Sequence, residues 1–215
     1  NLVVNKSNKS DTVTIAGKLK VTRKLTVRSG KLVSASDYED IEIEENGELQ
    51  LTSDISVSGH FTNSGTFDSN GFGVTFDGAT EQNLVLNTFT GFDFLTIYTG
   101  TTLVEAVTDD NALIYDTLTN YGTIRKTQPV STTTPESYYF GLAGTYPGSY
   151  GMEIEVTDRS GADPLTAIQV DRIDANHPSA PGSATTDIYW TITPSGTNYV
   201  ATVVLPQNGL ASPGA

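Results

Sequence analysis

The sequence predicts an all-β protein in which an N-terminal β-solenoid, or β-helix, is followed by a C-terminal β-sandwich. Apolar and polar residues alternate with a period of two, and almost no window has a helical period. A six-residue phrase occurs twice, as Thr62-Asn-Ser-Gly-Thr-Phe67 and Thr119-Asn-Tyr-Gly-Thr-Ile124. Such self-similarity is typical of stacked repeats. Beyond residue 135 the strands lengthen and prolines enter the loops, which indicates a second kind of β structure.

The elements follow in chain order. Residues 1–16 are predicted to be a separate strand segment, which contains a short apolar strand. Residues 17–127 are predicted to be the solenoid, because short strands restart there after glycine. The alternative for this stretch is a sandwich whose turns converge on Asn-Gly, since hairpins favour that dipeptide. Residues 128–136 are rich in Thr, Pro and Ser and read as a linker. Residues 137–215 contain five strand patterns typical of a small sandwich.

Composition excludes several classes of protein. The 215 residues include no cysteine, so neither a disulfide framework nor a thiolate metal site can form. No apolar run approaches the length of a membrane span, and we expect no membrane insertion. A net charge of −13 argues against a general nucleic-acid binder. The chain begins at Asn1 rather than Met, which fits a secreted product whose export signal has been removed, or a piece of a longer protein.

The charges are distributed unevenly along the chain. Residues 1–36 hold eight Lys and Arg and one acid, a net charge of +7, and residues 37–215 carry −20. One interpretation is solvated strand faces. The other is a polar molecule whose basic start attracts the acidic remainder of another copy, head to tail.

The two ends of the chain suggest how copies could join. Residues 2–4 form an apolar strand with no obvious partner within a solenoid, and strand addition between subunits would give them one. The alternative is that they cap the first solenoid turn or pair inside their own chain. The predicted subunit contacts are Leu2, Val3, Val4, Lys18, Lys20, Arg23 and Lys24.

Three stretches resemble known proteins. They are Gly59-His-Phe-Thr-Asn-Ser-Gly-Thr-Phe-Asp-Ser-Asn-Gly-Phe-Gly-Val-Thr-Phe76, Ile168-Gln-Val-Asp-Arg-Ile-Asp-Ala-Asn-His-Pro178 and Ile188-Tyr-Trp-Thr-Ile-Thr-Pro-Ser-Gly-Thr-Asn-Tyr-Val-Ala-Thr-Val-Val-Leu-Pro206. The first resembles adhesin-like right-handed β-helix repeats, and the others resemble a module of large secreted bacterial β-helix proteins. The resemblance implies an exported surface protein with a β-helix and then a sandwich. In that module further strands usually follow the Leu-Pro, so we expect this sandwich to be one strand short.

Catalytic chemistry has little support in the sequence, and we expect no enzyme activity. The two histidines, His60 and His177, are expected on a strand surface and in a loop, with no nucleophile beside them. Glu42 with Glu44, and Glu153 with Glu155, share strand faces as the acids of a polysaccharide-active enzyme would. Ordinary solvated acids give the same pattern.

Metal and sugar sites are equally sparse. Oxygen ligands make calcium the best metal option, with candidates Asp158, Asp163, Asp171 and Asp174. Turn stabilisation by these side chains explains them without a metal, so no cofactor is expected beyond that structural calcium. Tyr138, Tyr139 and Phe140 could form a platform for a glycan.

These observations favour a secreted, extracellular or cell-surface structural protein. Its expected partner is itself, in a fibre built head to tail by β-strand addition. The first alternative is a monomeric adhesin or glycan-binding module that binds surface glycans. The second is a β-helix enzyme acting on polysaccharides.

Overall fold

The computed structural model describes residues 1–106, 112–144, 150–174 and 188–204, and these residues form strands and turns without a helix. The N-terminal strands are β1 (Leu2–Asn5), β2 (Thr12–Thr14), β3 (Lys20–Ser34), β4 (Asp37–Leu51), β5 (Ile55–Val57), β6 (Phe61–Asn63), β7 (Thr66–Asp68), β8 (Gly73–Phe76), β9 (Glu81–Leu86), β10 (Thr90–Ile97), β11 (Thr102–Glu105), β12 (Ala112–Asn120) and β13 (Thr123–Pro129). The C-terminal strands are β14 (Glu136–Gly144), β15 (Tyr150–Asp158), β16 (Ala167–Asp174), β17 (Ile188–Ser195) and β18 (Val200–Val204).

The first thirteen strands form a parallel β-solenoid of about 6 turns, which confirms the predicted fold of this region. The turns differ in length. Leu2 lies directly beneath Leu25, and Leu25 lies beneath Ile41, so the first of these two steps takes more of the chain than the second. The unequal turn length explains why the sequence shows a phrase that recurs rather than a fixed period.

Period-two alternation builds the core because inward residues stack in columns from turn to turn. Leu25, Ile41, Phe61 and Leu84 form one such column and are all buried. Phe61 is the centre of an aromatic cluster, with ring centroids 5.2 Å from Phe67, 5.8 Å from Phe92 and 6.3 Å from Phe76. Edge-on geometry of this kind adds to the burial of the rings.

The doubled phrase makes the same turn twice. Asn63 accepts the N–H of Gly65 through its side-chain carbonyl at 3.0 Å, and Asn120 accepts that of Gly122 at 3.1 Å. In both places the glycine passes within contact distance of carbonyl oxygens in the turn below. The two asparagines occupy different columns, so they do not stack on each other. Threonines do stack, as Thr75, Thr96 and Thr119.

After β13 the pairing becomes antiparallel, except that the end of β14 pairs in parallel with β12. β16 pairs with β13 and with β17, while β15 pairs with β14 and with β18. A second hydrophobic cluster includes Phe140, Ile154 and Val170, and Trp190 packs at its margin rather than in its centre. The sandwich itself stays a prediction.

The predicted linker is tied to its surroundings. Val130 donates its N–H to the Thr166 carbonyl at 2.9 Å, and its own carbonyl accepts from Arg159 at 3.0 Å. Residues 130–135 therefore follow a fixed path between β13 and β14.

Candidate functional site

The N-terminal end of the solenoid is built by β1 and β2. Leu2, Val3 and Val4 pair in parallel with Leu25, Thr26 and Val27 of β3. The expectation that this strand has no partner within the solenoid is therefore wrong. Val4 and Leu2 point inward and join the core, while Val3 points outward and is 51% exposed. The strand forms part of the first turn because its alternation of inward and outward residues matches the columns of the following turn.

Across the described residues, β1 and β2 pair only with β3. The opposite edge of each strand is open and presents backbone N–H and C=O groups at the end of the stack. An open edge of this kind is a template for pairing with another chain.

The basic side chains of residues 1–36 are partly neutralised by acidic side chains of the same chain. Strand β3 pairs directly with the acidic strand β4. Four ion pairs join β4 to β3 and to Lys18 just before it: Lys18–Asp37 at 3.0 Å, Lys24–Glu42 at 2.8 Å, Arg28–Glu44 at 3.2 Å and Lys31–Glu48 at 2.7 Å. The abrupt change from basic to acidic residues in the sequence therefore corresponds to two adjacent turns of the solenoid. This placement removes Lys18 and Lys24 from the set of unpaired subunit-contact candidates.

Basic charge nevertheless remains at this end. In the part of the chain that the structure describes, no ion pair involves Lys6, Lys9, Lys20 or Arg23. These four side chains lie in the first two turns. Residues 1–36, which form those turns, contain one acidic residue, Asp11. The available contact candidates are therefore Val3 on β1, and Lys20 and Arg23 on β3, the strand with which β1 pairs.

The C-terminal region also ends in open edges. Among the described strands, β17 pairs only with β16 and β18 only with β15. β18 contains no charged residue, and Val200, Val203 and Val204 are 57%, 44% and 50% exposed. β17 is also exposed but contains Pro194, whose nitrogen cannot donate a hydrogen bond.

Acidic residues beside the two edges differ in their partners. Next to β17, Asp171 accepts two hydrogen bonds from Arg125, at 2.8 and 2.9 Å, which raise the pKa of that guanidinium. Asp174 accepts two from Arg172, both at 2.7 Å. Next to β18, Glu153 and Glu155 lie opposite Val204 and Thr202, and within the described ranges neither forms an ion pair.

The calcium candidates are bound by protein groups. Asp171 and Asp174 face arginines, and Asp163 accepts from the Thr197 hydroxyl at 3.0 Å. Asp158 accepts the backbone N–H of Ser160 at 2.9 Å, and this hydrogen bond with that of the Ser160 hydroxyl holds the pKa of Asp158 below its ordinary value. No group of three or more potential ligands occurs among the described residues. The four carboxylates act in turns and arginine pairs.

The residues considered for catalysis are dispersed. His60 is exposed, as its strand phase predicts, and its Nδ1 accepts the Asn83 N–H at 3.0 Å. His177 lies outside the described residues. Glu42 and Glu44 are bound to Lys24 and Arg28. Tyr138 and Phe140 are buried in the second cluster, so they cannot form a surface platform.

The outer face of β10 and β12 carries aromatic residues that the sequence interpretation missed. Tyr98 and Tyr121 follow the paired residues Ile97 and Asn120, so they occupy equivalent positions in adjacent turns. They are 57% and 63% exposed, and Phe94 is exposed in the middle of β10. The strand phase could have shown this, because Leu95 and Ile97 are inward and the residues between and beside them must point outward.

A second missed feature is a buried polar layer where the solenoid meets β16. Glu105 and Lys126 stack in an inward column above Leu84 and below Val170, with Nζ and Oε2 3.6 Å apart. Both side chains are almost fully buried. The alternation could have shown this. Glu105 faces the same side of its strand as the inward Leu103, and Lys126 the same side as the inward Ile124.

Comparisons of the chain with protein-family models, with curated proteins and with solved structures found no match. The class that the geometry defines is a β-solenoid with an antiparallel C-terminal extension. The resemblance to adhesin-like repeats stays a prediction. No helix capable of crossing a membrane occurs in the described ranges.

Proposed function

We propose that this chain is an extracellular or cell-surface structural protein that assembles head to tail into a fibre by β-strand addition. The observation that carries the proposal is the pair of open strand ends, β1 and β2 at one end and β17 and β18 at the other, among the described strands. A solenoid by itself does not indicate a fibre subunit. Repeat proteins normally cover their terminal edges, and here two of the open strands, β1 and β18, are mainly apolar.

The proposed C-terminal unit is a β-sandwich with an incomplete sheet. Its two sheets would be β13–β16–β17 and β14–β15–β18, facing each other across the second hydrophobic cluster. Exposed valines on β18 support this proposal, because a completed sheet would cover one side of them.

The proposed role is non-catalytic. The best-placed acid pair, Glu42 and Glu44, is held in ion pairs with strand β3 rather than facing a cleft. A sugar-cleaving pair needs one carboxyl group poised as an acid and the other as base or nucleophile. Both carboxylates are instead occupied by ion pairs on the outer face of two stacked strands.

Assembly can be tested by placing a charge on the N-terminal edge. Val3→Lys changes an exposed residue of β1, so the monomer should fold, while a lysine on an edge strand should block pairing. We expect the unaltered chain to form concentration-dependent filaments by sedimentation velocity and electron microscopy, and Val3→Lys to remain monomeric.

Phe89→Lys is the matched control, because Phe89 is 57% exposed but lies on the side of the solenoid. It should assemble like the unaltered chain. A chain that stays monomeric at every concentration and ionic strength would rule out the fibre.

The second candidate function is glycan binding by a monomeric adhesin, which the aromatic outer face favours. Tyr98 and Tyr121 directly follow the neighbouring parallel strands β10 and β12, whose backbones are about 4.8 Å apart. They lie beside the stacked Thr96 and Thr119. Flat aromatic rings beside hydroxyl groups suit the alternating apolar and polar faces of a sugar.

This candidate predicts that Tyr98→Ala combined with Tyr121→Ala weakens polysaccharide binding. We expect a loss of about tenfold or more, since each ring contributes about 1 kcal/mol to a stacked contact. Affinity electrophoresis against a panel of neutral and amino polysaccharides measures it. Phe89→Ala, at an equally exposed aromatic on another face, should bind normally. Equal binding by all three proteins would contradict an aromatic glycan site.

A further inference from the structure

We infer that the join between subunits is made by the open edge of β1 in one copy and the open edge of β18 in the next. The inference rests on the proposed head-to-tail assembly and names the strands that meet. Three independent features of the described residues select this pair: backbone availability, apolar exposure and unpaired charge.

The β1 edge extends the core columns of the solenoid. Leu2 stacks on Leu25, and Val4 stacks on Val27, yet Leu2 remains only partly buried because nothing in the described residues lies beyond it. An added strand would continue these columns by one layer and complete the burial of Leu2. Val3, on the outer side, would pack beside the side chains of that strand.

β18 accepts a strand better than β17 does. β18 contains no proline, so no backbone donor is missing from it, whereas Pro194 removes one donor from β17. β18 carries only Val, Ala and Thr, and three of its valines are about half exposed. A flat, uncharged apolar edge is the kind that pairs with another chain.

Unpaired charges distinguish the two edges further. The acids beside β17, Asp171 and Asp174, are already bound by arginines. The acids beside β18, Glu153 and Glu155, form no ion pair within the described part of the chain. The bases of the first two turns that lack ion pairs within the described residues, including Lys20 and Arg23 of β3, complement them in sign. This arrangement steers β1 towards β18 and disfavours pairing of β1 with a second β1.

Disulfide cross-linking can test the join directly, since the chain contains no cysteine. Val3→Cys is combined in turn with Val200→Cys, Thr202→Cys and Val204→Cys, which lie on one face of β18 and cover the alternative registers. Adjacent strands bring Cα atoms within the distance that a disulfide spans. We expect at least one combination to give a ladder of disulfide-linked multimers on a non-reducing gel after mild oxidation.

Controls separate this inference from the fibre itself. A ladder from Val3→Cys with Ile192→Cys, on β17, but from none of the β18 combinations would overturn the β1–β18 join and leave the fibre standing. Dimers from Val3→Cys alone would also overturn it, because they indicate a symmetric β1–β1 contact. Absence of any assembly by sedimentation would overturn both.

The contribution of charge to the β1–β18 contact can be measured separately. Glu153→Lys combined with Glu155→Lys should raise the concentration needed for assembly, and adding Lys20→Glu and Arg23→Glu to the same chain should restore it. Asp171 and Asp174 are left unchanged, so the arginine pairs that support β16 stay intact. Assembly that is indifferent to the Glu153 and Glu155 reversal would contradict the assignment of β18.

Discussion

Gly65→Ala is expected to lower the free energy of unfolding by about 3 kcal/mol, although it adds a single methyl group. A Cβ atom at Gly65 would lie 2.3 Å from the carbonyl oxygens of both Glu44 and Gly47. Both are backbone atoms of β4, which is hydrogen-bonded to neighbouring turns, so neither can move without disturbing the stack. The change should shift the midpoint of urea unfolding to lower concentration with little change in slope.

Gly73→Ala is the matched control, because it adds the same methyl group to the same solenoid. The nearest atom to its Cβ would be the Asp54 carboxylate at 3.4 Å, which is close to an ordinary contact. We expect this variant to be neutral or stabilised by up to about 1 kcal/mol, since alanine restricts the unfolded chain. Equal stability of the two variants would show that the stack relaxes around Gly65.

The repeated phrase shows which structural features a local sequence pattern predicts and which it does not. The phrase correctly indicated stacked turns, because Asn63 and Asn120 each form the same side-chain turn over a glycine. Stacking of the two asparagines did not follow, because the turns differ in length and equivalent phrases are shifted into different columns. A local phrase specifies a turn, whereas the column it joins depends on every turn between.

The N-terminal strand shows a limit of a different kind. Its apolar alternation was visible, but its partner β3 follows only after another strand, β2, has intervened in the chain. Parallel pairing at such separation leaves no signature in a single sequence, unlike a hairpin with its turn residues. The ion pairs between basic and acidic strands were not predicted for the same reason. Lys24 and Glu42 belong to successive turns, so they are far apart in sequence but neighbours in space.

Strand phase carried more information than composition did. It correctly placed His60 on the surface, and it would have placed Tyr98 outside and Lys126 inside. A charged residue in an inward phase contradicts the rule that strands bury apolar side chains, and such contradictions mark special positions. The C-terminal region gave less because its strands pair with partners distant in sequence, as β13 does with β16 and β15 with β18.

The buried pair at the end of the solenoid should make Lys126→Met one of the most damaging single changes in the chain. Lys126 is 2% exposed and Glu105 5%, and their Nζ and Oε2 atoms lie 3.6 Å apart between Leu84 and Val170. Removing the lysine takes its charge away from a buried carboxylate, which costs about 3–5 kcal/mol. Urea unfolding followed by tryptophan fluorescence at Trp190, which packs against the adjoining C-terminal cluster, measures the loss.

The double variant Lys126→Met with Glu105→Leu distinguishes charge from packing. It removes both charges and continues the apolar column, so it should recover most of the lost stability and could equal the unaltered chain. Lys31→Met is the control for the same side-chain change, because Lys31 pairs with Glu48 at 2.7 Å on the surface. That shorter but solvated pair should contribute only about 0.2–1 kcal/mol. If Lys126→Met were no more costly than Lys31→Met, the junction would be hydrated, and the polar layer would not be what fixes β16 to the solenoid.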